Sequence, residues 1–77
     1  MIQLPDRIVK NPDILFGRPS IRGTRISVEL ILELLGAGQT EAEILDDYPG
    51  LTHEDVLACI EYAAQLVQLH GNEPVHA

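Results

Sequence analysis

The 77-residue sequence predicts a mainly α-helical domain with a short β-hairpin at its N-terminus. Two observations predict the helices: apolar residues recur with helical spacing after residue 27, and capping and helix-ending residues bracket each run. A third observation predicts the hairpin, since turn-forming residues interrupt short apolar runs before residue 27. We expect one domain overall, made of an N-terminal hairpin or arm (1–26), a trihelical helix-turn-helix body (27–71) and a disordered tail (72–77).

The N-terminal segment contains two candidate strands. Residues 7–10 have a β-compatible centre, and residues 20–22 can form a second short strand. Turns at residues 11–13, at Gly17 with Pro19 behind it, and at Gly23 separate these pieces. The segment therefore predicts a single small hairpin, with no clear register.

The first helix begins after Ser27, whose hydroxyl can accept a hydrogen bond from the first helical turn. The apolar residues that follow at spacings of three and four are Val28, Ile31, Leu32 and Leu35. Glycines at 36 and 38 predict its end, because glycine tolerates the left-handed conformation past a helix.

The second and third helices each begin with a capping box. Thr40 and Glu43 form the first box, and Pro49 stops that helix near Tyr48. Residues 52–55 form a weaker box before the longest helix, which is expected to reach about Leu69 with Gly71 beyond it. The aliphatic row expected to face the core comprises Val56, Ile60, Ala63 and Val67. A short helix, a tight turn and a longer helix give the outline of a helix-turn-helix.

The first and third helices carry more apolar residues than one small core needs. The candidate residues for a dimer or partner interface are Leu30, Leu34, Tyr62, Leu66 and Leu69. Because large exposed apolar patches mark interfaces, we expect a homodimer or another protein partner. The alternative is a monomer whose hairpin covers the second apolar stripe.

Charge divides the chain sharply. All five lysines and arginines lie within the first 25 residues, which carry a net charge of +3, whereas the remaining residues carry −10. The candidate nucleic-acid-binding residues are Arg7, Lys10, Arg18, Arg22 and Arg25. The alternative is that these cations pair with acidic residues, of which the candidates are Glu41, Glu43, Asp46 and Asp47. The outer face of the third helix offers Glu54 and Glu61 but no cation, which argues against major-groove readout by that helix.

Nothing in the sequence predicts catalysis. Cys59 is the only cysteine, and the three histidines at 53, 70 and 76 are too scattered to form a metal site or a catalytic group. We therefore expect no enzyme, no cofactor, no metal and no catalytic residue. The chain also lacks a signal-like run and a membrane-spanning stretch, so a cytoplasmic protein that does not contact the membrane is expected.

The turn-rich segment and the second helix carry a family resemblance. The matching residues are those at 11–13, 17–19, 21–28, 38, 40–45, 48–52 and 54–56. They resemble the signature of the bacterial family called domain of unknown function 433. The resemblance implies a homeodomain-like trihelical fold with an N-terminal β-hairpin, commonly a dimer. It also implies similarity to VapB-type antitoxins, which bind a toxin with a PIN-like ribonuclease fold and in many cases their own operator DNA.

We therefore expect a small antitoxin-type protein that neutralises a PIN-like ribonuclease, with operator contact through Arg18, Arg22 and Arg25. An acidic helical body suits this function, because an RNA-binding surface is basic. One alternative is a stand-alone DNA-binding transcriptional regulator that uses the basic N-terminal segment. A second alternative is a dimeric adaptor that binds no nucleic acid.

Overall fold

The computed structural model describes residues 4–70, which form a small, mainly helical fold. A two-stranded antiparallel sheet comes first, with β1 at Ile8–Lys10 and β2 at Pro19–Ile21. Three helices follow, with α1 at Val28–Gly36, α2 at Glu41–Asp47 and α3 at His53–His70. The predicted order of one hairpin and three helices is confirmed. Gly71 and the predicted tail over residues 72–77 lie outside the described residues.

The β-hairpin is anchored to the core by an isoleucine from each strand. Ile8 pairs with Ile21 across the two strands, and both side chains are buried. Ser20 pairs with Val9 and is also buried, and it forms an additional bridge with Ser27 just before α1. The second strand begins at Pro19, one residue earlier than the sequence predicted. The strand pairing places both isoleucines in the core that the hairpin shares with the helices.

A left-handed turn lies between the two strands. Leu15, Phe16 and Gly17 have φ angles of 52°, 57° and 81°. Backbone hydrogen bonds from Gly17 N to the Ile14 carbonyl and from Arg18 N to the Leu15 carbonyl close this turn, each at 3.1 Å. Glycine adopts this conformation freely, whereas leucine and phenylalanine do so at a cost of about 1–2 kcal/mol each.

Side chains cap the N-terminus of each helix, as predicted. The Ser27 hydroxyl accepts a hydrogen bond from Leu30 N at 3.0 Å at the start of α1. At α2, Thr40 and Glu43 exchange the two hydrogen bonds of a capping box. These bonds lower the pKa of the exposed Glu43 carboxyl, because they favour its ionised form.

Asp55 provides the corresponding cap at α3. Its Oδ2 accepts a hydrogen bond from Thr52 N at 3.0 Å, while Asp55 N donates to the Thr52 hydroxyl at 3.2 Å. Its other oxygen, Oδ1, lies 3.1 Å from Nη1 of Arg7, the residue before β1. A single buried carboxylate therefore caps α3 and ties the hairpin to it.

The predicted core-facing row of α3 is correct at Val56, which is buried, and wrong at Ile60 and Val67. Ile60 and Val67 were expected to face the core, but their side chains are 46% and 69% exposed. The buried residues of α3 are Asp55, Val56, Ala58, Cys59 and Tyr62. The side of the helix that carries Cys59 and Tyr62 faces the core. Ile60 and Val67 therefore face solvent.

Residues from the hairpin, from all three helices and from the α2–α3 turn share one core. Its buried members are Ile8, Ile21, Val28, Ile31, Ile44, Leu51, Val56, Ala58, Cys59 and Tyr62. Leu32 and Leu35 of α1 pack against this cluster as half-buried residues, so the predicted α1 stripe does face inward. The hairpin thus forms one wall of the core.

Replacing Asp55 by alanine should lower the free energy of unfolding by about 2 kcal/mol, since both a cap and a charged hydrogen bond are lost. Arg7→Ala should cost less, about 0.5–1 kcal/mol, because its side chain is half exposed. Urea unfolding measures both. Glu54→Ala is the matched control, an exposed carboxylate one residue earlier in the helix. Equal losses for Asp55→Ala and Glu54→Ala would contradict a special role for Asp55.

Burial, reinforced by the nearby Asp55 charge, raises the pKa of the Cys59 thiol from 9.0 to about 11. At pH 8 this pKa lowers the thiolate fraction by about 100-fold relative to an ordinary cysteine, and thiolate is the species that alkylates. Iodoacetamide labelling of the native protein should therefore be at least that much slower than labelling in urea. Similar rates in the two conditions would show that Cys59 is accessible and not buried in the core.

Candidate interaction surfaces

The predicted nucleic-acid-binding residues fall into two groups. Lys10, Arg18, Arg22 and Arg25 are exposed on the hairpin and its turns. Arg7 differs from them, because its guanidinium is bound to the buried Asp55 carboxylate. All five cations are exposed, but Arg7 also helps to hold the fold together through its ion pair with Asp55.

Two of the four acidic residues considered as intramolecular partners for these arginines are engaged with other groups. Glu41 contacts His53, with the Nδ1 atom 2.7 Å from Oε2, and Glu43 caps α2. Within residues 4–70, no salt bridge links the hairpin cations to α2. The basic hairpin and the acidic second helix thus remain separate surfaces of opposite charge.

Three internal hydrogen bonds shape the basic surface. Arg22 Nε donates to the Asp6 carbonyl at 2.9 Å, which holds this side chain along the start of the hairpin. The Thr24 hydroxyl donates to the Ile21 carbonyl at 2.8 Å and accepts from Ile26 N at 3.0 Å. Because the Thr24 hydroxyl serves the turn itself, the loop between Arg22 and Arg25 offers guanidinium groups to a ligand rather than this hydroxyl.

The outer side of α3 presents an apolar stripe. Its members recur at spacings of three and four, and all are exposed: Leu57, Ile60, Ala64 and Val67. We call these four residues the α3 stripe. His53 begins the same row one turn earlier, so its contact with Glu41 places α2 beside the start of the stripe. The exposed carboxylates of Glu54 and Glu61 lie on the same helix.

A groove lies between α1, α3 and the start of β2. It has a volume of about 640 Å³. Its apolar lining comes from α1 and α3, and its members are Val28, Leu32, Tyr62 and Leu66. Arg18, Glu29 and Glu33 also line it and bring charges of both signs. The groove therefore joins an apolar interior to a charged rim.

The structure does not gather the predicted interface residues into one patch. Tyr62 belongs to the core with 6% of its surface exposed, and together with Leu66 it lines the groove. Leu30 and Leu34 are half-buried on α1, whereas Leu69 is 52% exposed near the end of α3. The α3 stripe was missed as a surface because part of it was assigned to the core.

Phe16 was not predicted as a surface feature either. Its side chain is 98% exposed, the largest exposed fraction among the large hydrophobic residues of the described chain. The signal in the sequence was a phenylalanine directly before Gly17, within a run of turn-forming residues. A turn that ends an apolar run can display its last residue to solvent.

The described residues show no assembled reactive group. Among residues 4–70, no three His, Cys, Asp or Glu side chains are grouped so that they could hold a metal ion. The thiol of Cys59 is buried, and its pKa is raised to about 11. None of the helices in this part of the chain is long and apolar enough to cross a membrane.

The fold and its surfaces define a small, mainly helical protein whose notable features are two apolar surfaces and a division of charge. The chain belongs to the family described as Protein of unknown function (DUF433), which it matches over residues 8–63. The family resemblance of the turn-rich segment and the second helix is thereby confirmed.

Two relatives illustrate the family. An uncharacterized protein of Sinorhizobium fredii, y4eO, is 34% identical over 56 residues, a match that covers 73% of this chain and 25% of that protein. The crystal structure of a family member from Anabaena variabilis superimposes with a TM-score of 0.77 at 35% identity, covering 86% of this chain and 65% of that one. The chain thus spans a quarter of the length of the first relative and about two thirds of the second.

Proposed function

We propose that this protein is a protein-binding module of the antitoxin type, and that its partner is a PIN-like ribonuclease whose RNA-binding surface it occupies. The observation that carries this proposal is the α3 stripe, an exposed apolar row accompanied by carboxylates. The choice of partner follows the likeness to VapB-type antitoxins that the sequence resemblance implies. On this proposal the protein binds rather than catalyses, and it acts in the cytoplasm.

The α3 stripe supplies the apolar part of the interface. Ile60 and Leu57 are about half exposed and Val67 is more so, which leaves each of them surface to bury against a partner. Completing that burial contributes about 1 kcal/mol per side chain. An amphipathic helix with such a row fits a hydrophobic groove or a second helix on the partner.

The acidic residues attract a basic partner surface and favour it over other partners. No lysine or arginine follows Arg25, and α2 carries four carboxylates in seven residues. A surface that binds RNA is basic, so it attracts this helical face over a distance of about 10 Å at 0.1 M salt. Carboxylates placed beside the stripe can then occupy positions that RNA phosphates take on the free ribonuclease.

We further propose that α1, α2 and α3 form a homeodomain-like trihelical unit with a helix-turn-helix at α2–α3. In such a unit the last helix normally reads DNA, but α3 presents glutamates and apolar residues. The described part of α3 contains no lysine or arginine. In this protein the outer face of that helix is therefore suited to a protein partner.

A second candidate function is operator binding through the hairpin, either as part of the antitoxin or as a stand-alone regulator. The exposure of Lys10, Arg18, Arg22 and Arg25 favours it, because guanidinium and ammonium groups on one segment can follow a phosphate backbone. A dimer doubles the number of such contacts. A dimeric adaptor that binds no nucleic acid is the remaining alternative.

The antitoxin proposal predicts that the tagged full chain captures a PIN-like ribonuclease from nuclease-treated extracts of its host, and that the purified pair forms a stoichiometric complex. Ile60→Glu and Val67→Glu should each weaken that complex by at least about 10-fold, since each places a charge in an apolar contact. Leu69→Glu is the matched control, an exposed apolar residue outside the stripe. Calorimetry on the purified pair measures all three.

Raising the salt concentration should also weaken this complex, because opposite charges attract the two proteins. A complex that is insensitive both to salt and to the stripe substitutions would contradict the proposed surface. Failure to capture a nuclease would contradict the antitoxin function itself.

The second candidate predicts binding of the chain to operator DNA from its own promoter in a gel-shift assay. Replacing Arg18, Arg22 and Arg25 by glutamine should abolish it, and the affinity of the unmodified protein should fall steeply with salt. Asp46→Asn, Asp47→Asn and Glu61→Gln together form the control, an equal number of exposed charges removed from the helices. DNA binding that survives the arginine substitutions would contradict a role for the hairpin.

A further inference from the structure

We propose that the groove between α1 and α3 is the docking site for Phe16 of a second copy of this chain, in a reciprocal two-fold dimer. Each protomer inserts its Phe16 ring into the groove of the other. This inference does not rest on the antitoxin proposal, because it uses the left-handed turn and the groove rather than the α3 stripe.

The first step concerns Phe16. Its side chain is 98% exposed, so its contacts within the monomer contribute almost no hydrophobic stabilisation. Its backbone is nevertheless held in the left-handed region together with Leu15, a conformation that phenylalanine and leucine adopt at an energetic cost. Two hydrogen bonds fix this turn, so the ring projects from a defined site. A rigid, exposed aromatic side chain loses little entropy on binding and is typical of interface anchors.

The second step concerns the groove. Val28, Leu32, Tyr62 and Leu66 give it an apolar lining, and its volume of about 640 Å³ exceeds the space that one aromatic side chain needs. A pocket of this size and lining falls within the range in which proteins bury small apolar groups. It therefore accommodates the Phe16 ring together with neighbouring atoms of the turn.

The third step identifies the occupant as a second copy. Phe16 lies only two residues before Arg18, which lines the groove, so the two Cα atoms are at most about 7 Å apart. Phe16 does not fill the groove of its own chain, since it is exposed. When a projecting side chain lies beside a groove on one protomer, a two-fold rotation can place each side chain in the groove of the other protomer.

Charge supports the same arrangement. Arg18 moves with Phe16. Each groove is lined by two carboxylates, Glu29 and Glu33, against one cation, its own Arg18, so its rim keeps a net negative charge that attracts the Arg18 of the second copy. In the reciprocal dimer each Arg18 approaches the acidic rim of the other groove, which gives two symmetric attractive contacts. These pairs lie at the edge of the interface, where charges set specificity and association rate.

The dimer leaves the α3 stripe available. Tyr62 and Leu66 face the groove, whereas Ile60, Ala64 and Val67 lie on another side of the same helix at 100° per residue. A second copy and a different protein can therefore bind at the same time. The groove also accounts for two of the predicted interface residues, Tyr62 and Leu66.

Analytical ultracentrifugation of the full chain tests the proposal. The unmodified protein should dimerise, and Phe16→Gly should raise the dissociation constant by at least about 30-fold, as the loss of a central aromatic anchor does. Glycine suits the left-handed turn, so this variant should fold at least as stably as the parent chain. Val67→Gly is the control, an exposed apolar residue outside the groove, and it should leave the dimer intact if circular dichroism shows that it is folded. A monomeric parent chain, or a Phe16→Gly dimer of unchanged affinity, would overturn the proposal.

Disulfide trapping identifies the contact directly. A chain carrying Phe16→Cys is mixed under oxidising conditions with a chain carrying Leu32→Cys, and the Phe16→Cys and Leu32→Cys chains should become linked. Any such link joins two copies, because each chain has only one of the new thiols, and the buried Cys59 with its raised pKa competes weakly. Val67→Cys in place of Leu32→Cys should give no more than background linkage. Equal trapping at positions 32 and 67 would overturn the assignment of the groove.

Charge reversal provides an independent check. Arg18→Glu and Glu33→Arg should each weaken the homodimer, while an equimolar mixture of the two variants should recover much of the lost affinity because opposite charges again face each other between the two copies. The recovery should disappear at high salt. A mixture that associates as weakly as either variant alone would contradict the proposed position of Arg18 against the acidic rim of the other copy.

Discussion

The buried carboxylate of Asp55 is the interaction on which the arrangement of hairpin and helices depends. One of its oxygens caps α3 through Thr52 N, and the other binds Arg7 at the start of the hairpin. The Arg7 carbonyl in turn accepts a hydrogen bond from Arg22 N, which extends the pairing of the strands. A charge that is buried in a small core must be paired on more than one side. Asp55 meets this requirement by joining the start of the hairpin to the start of α3.

This use of Arg7 also determines the shape of the charged surfaces. It removes one cation from the basic segment and leaves the others on the exposed side of the hairpin. The helices carry the exposed carboxylates, apart from those near the start of the chain. Since the two sets of charges do not neutralise each other within residues 4–70, the protein keeps two faces that attract different partners. The acidic face suits a basic protein, and the basic face suits a phosphate backbone.

The features that the sequence predicted well are local ones. Ser27, the Thr40–Glu43 pair and the Thr52–Asp55 pair cap helices through residues only three positions apart, so their pattern is visible in the chain. The core-facing row of α3 was predicted wrongly at Ile60 and Val67 because its aliphatic row and the row through Cys59 and Tyr62 both have helical spacing. The hairpin and α1 decide which row is buried, and these contacts are distant in sequence. The left-handed turn was not predicted from the sequence, because leucine and phenylalanine disfavour the conformation that they adopt there.

The small size of the core leaves apolar residues outside it. A chain of 77 residues has a small core, which comprises ten buried hydrophobic residues within residues 4–70. Exposed apolar residues at Phe16 and along the α3 stripe add nothing to that core and favour aggregation unless they are covered. They lie on separate elements, one on a strained turn and the other on a regular helix, so one partner surface does not readily cover both. A dimer that buries Phe16 and a different partner that covers the α3 stripe would give each exposed surface its own physical role.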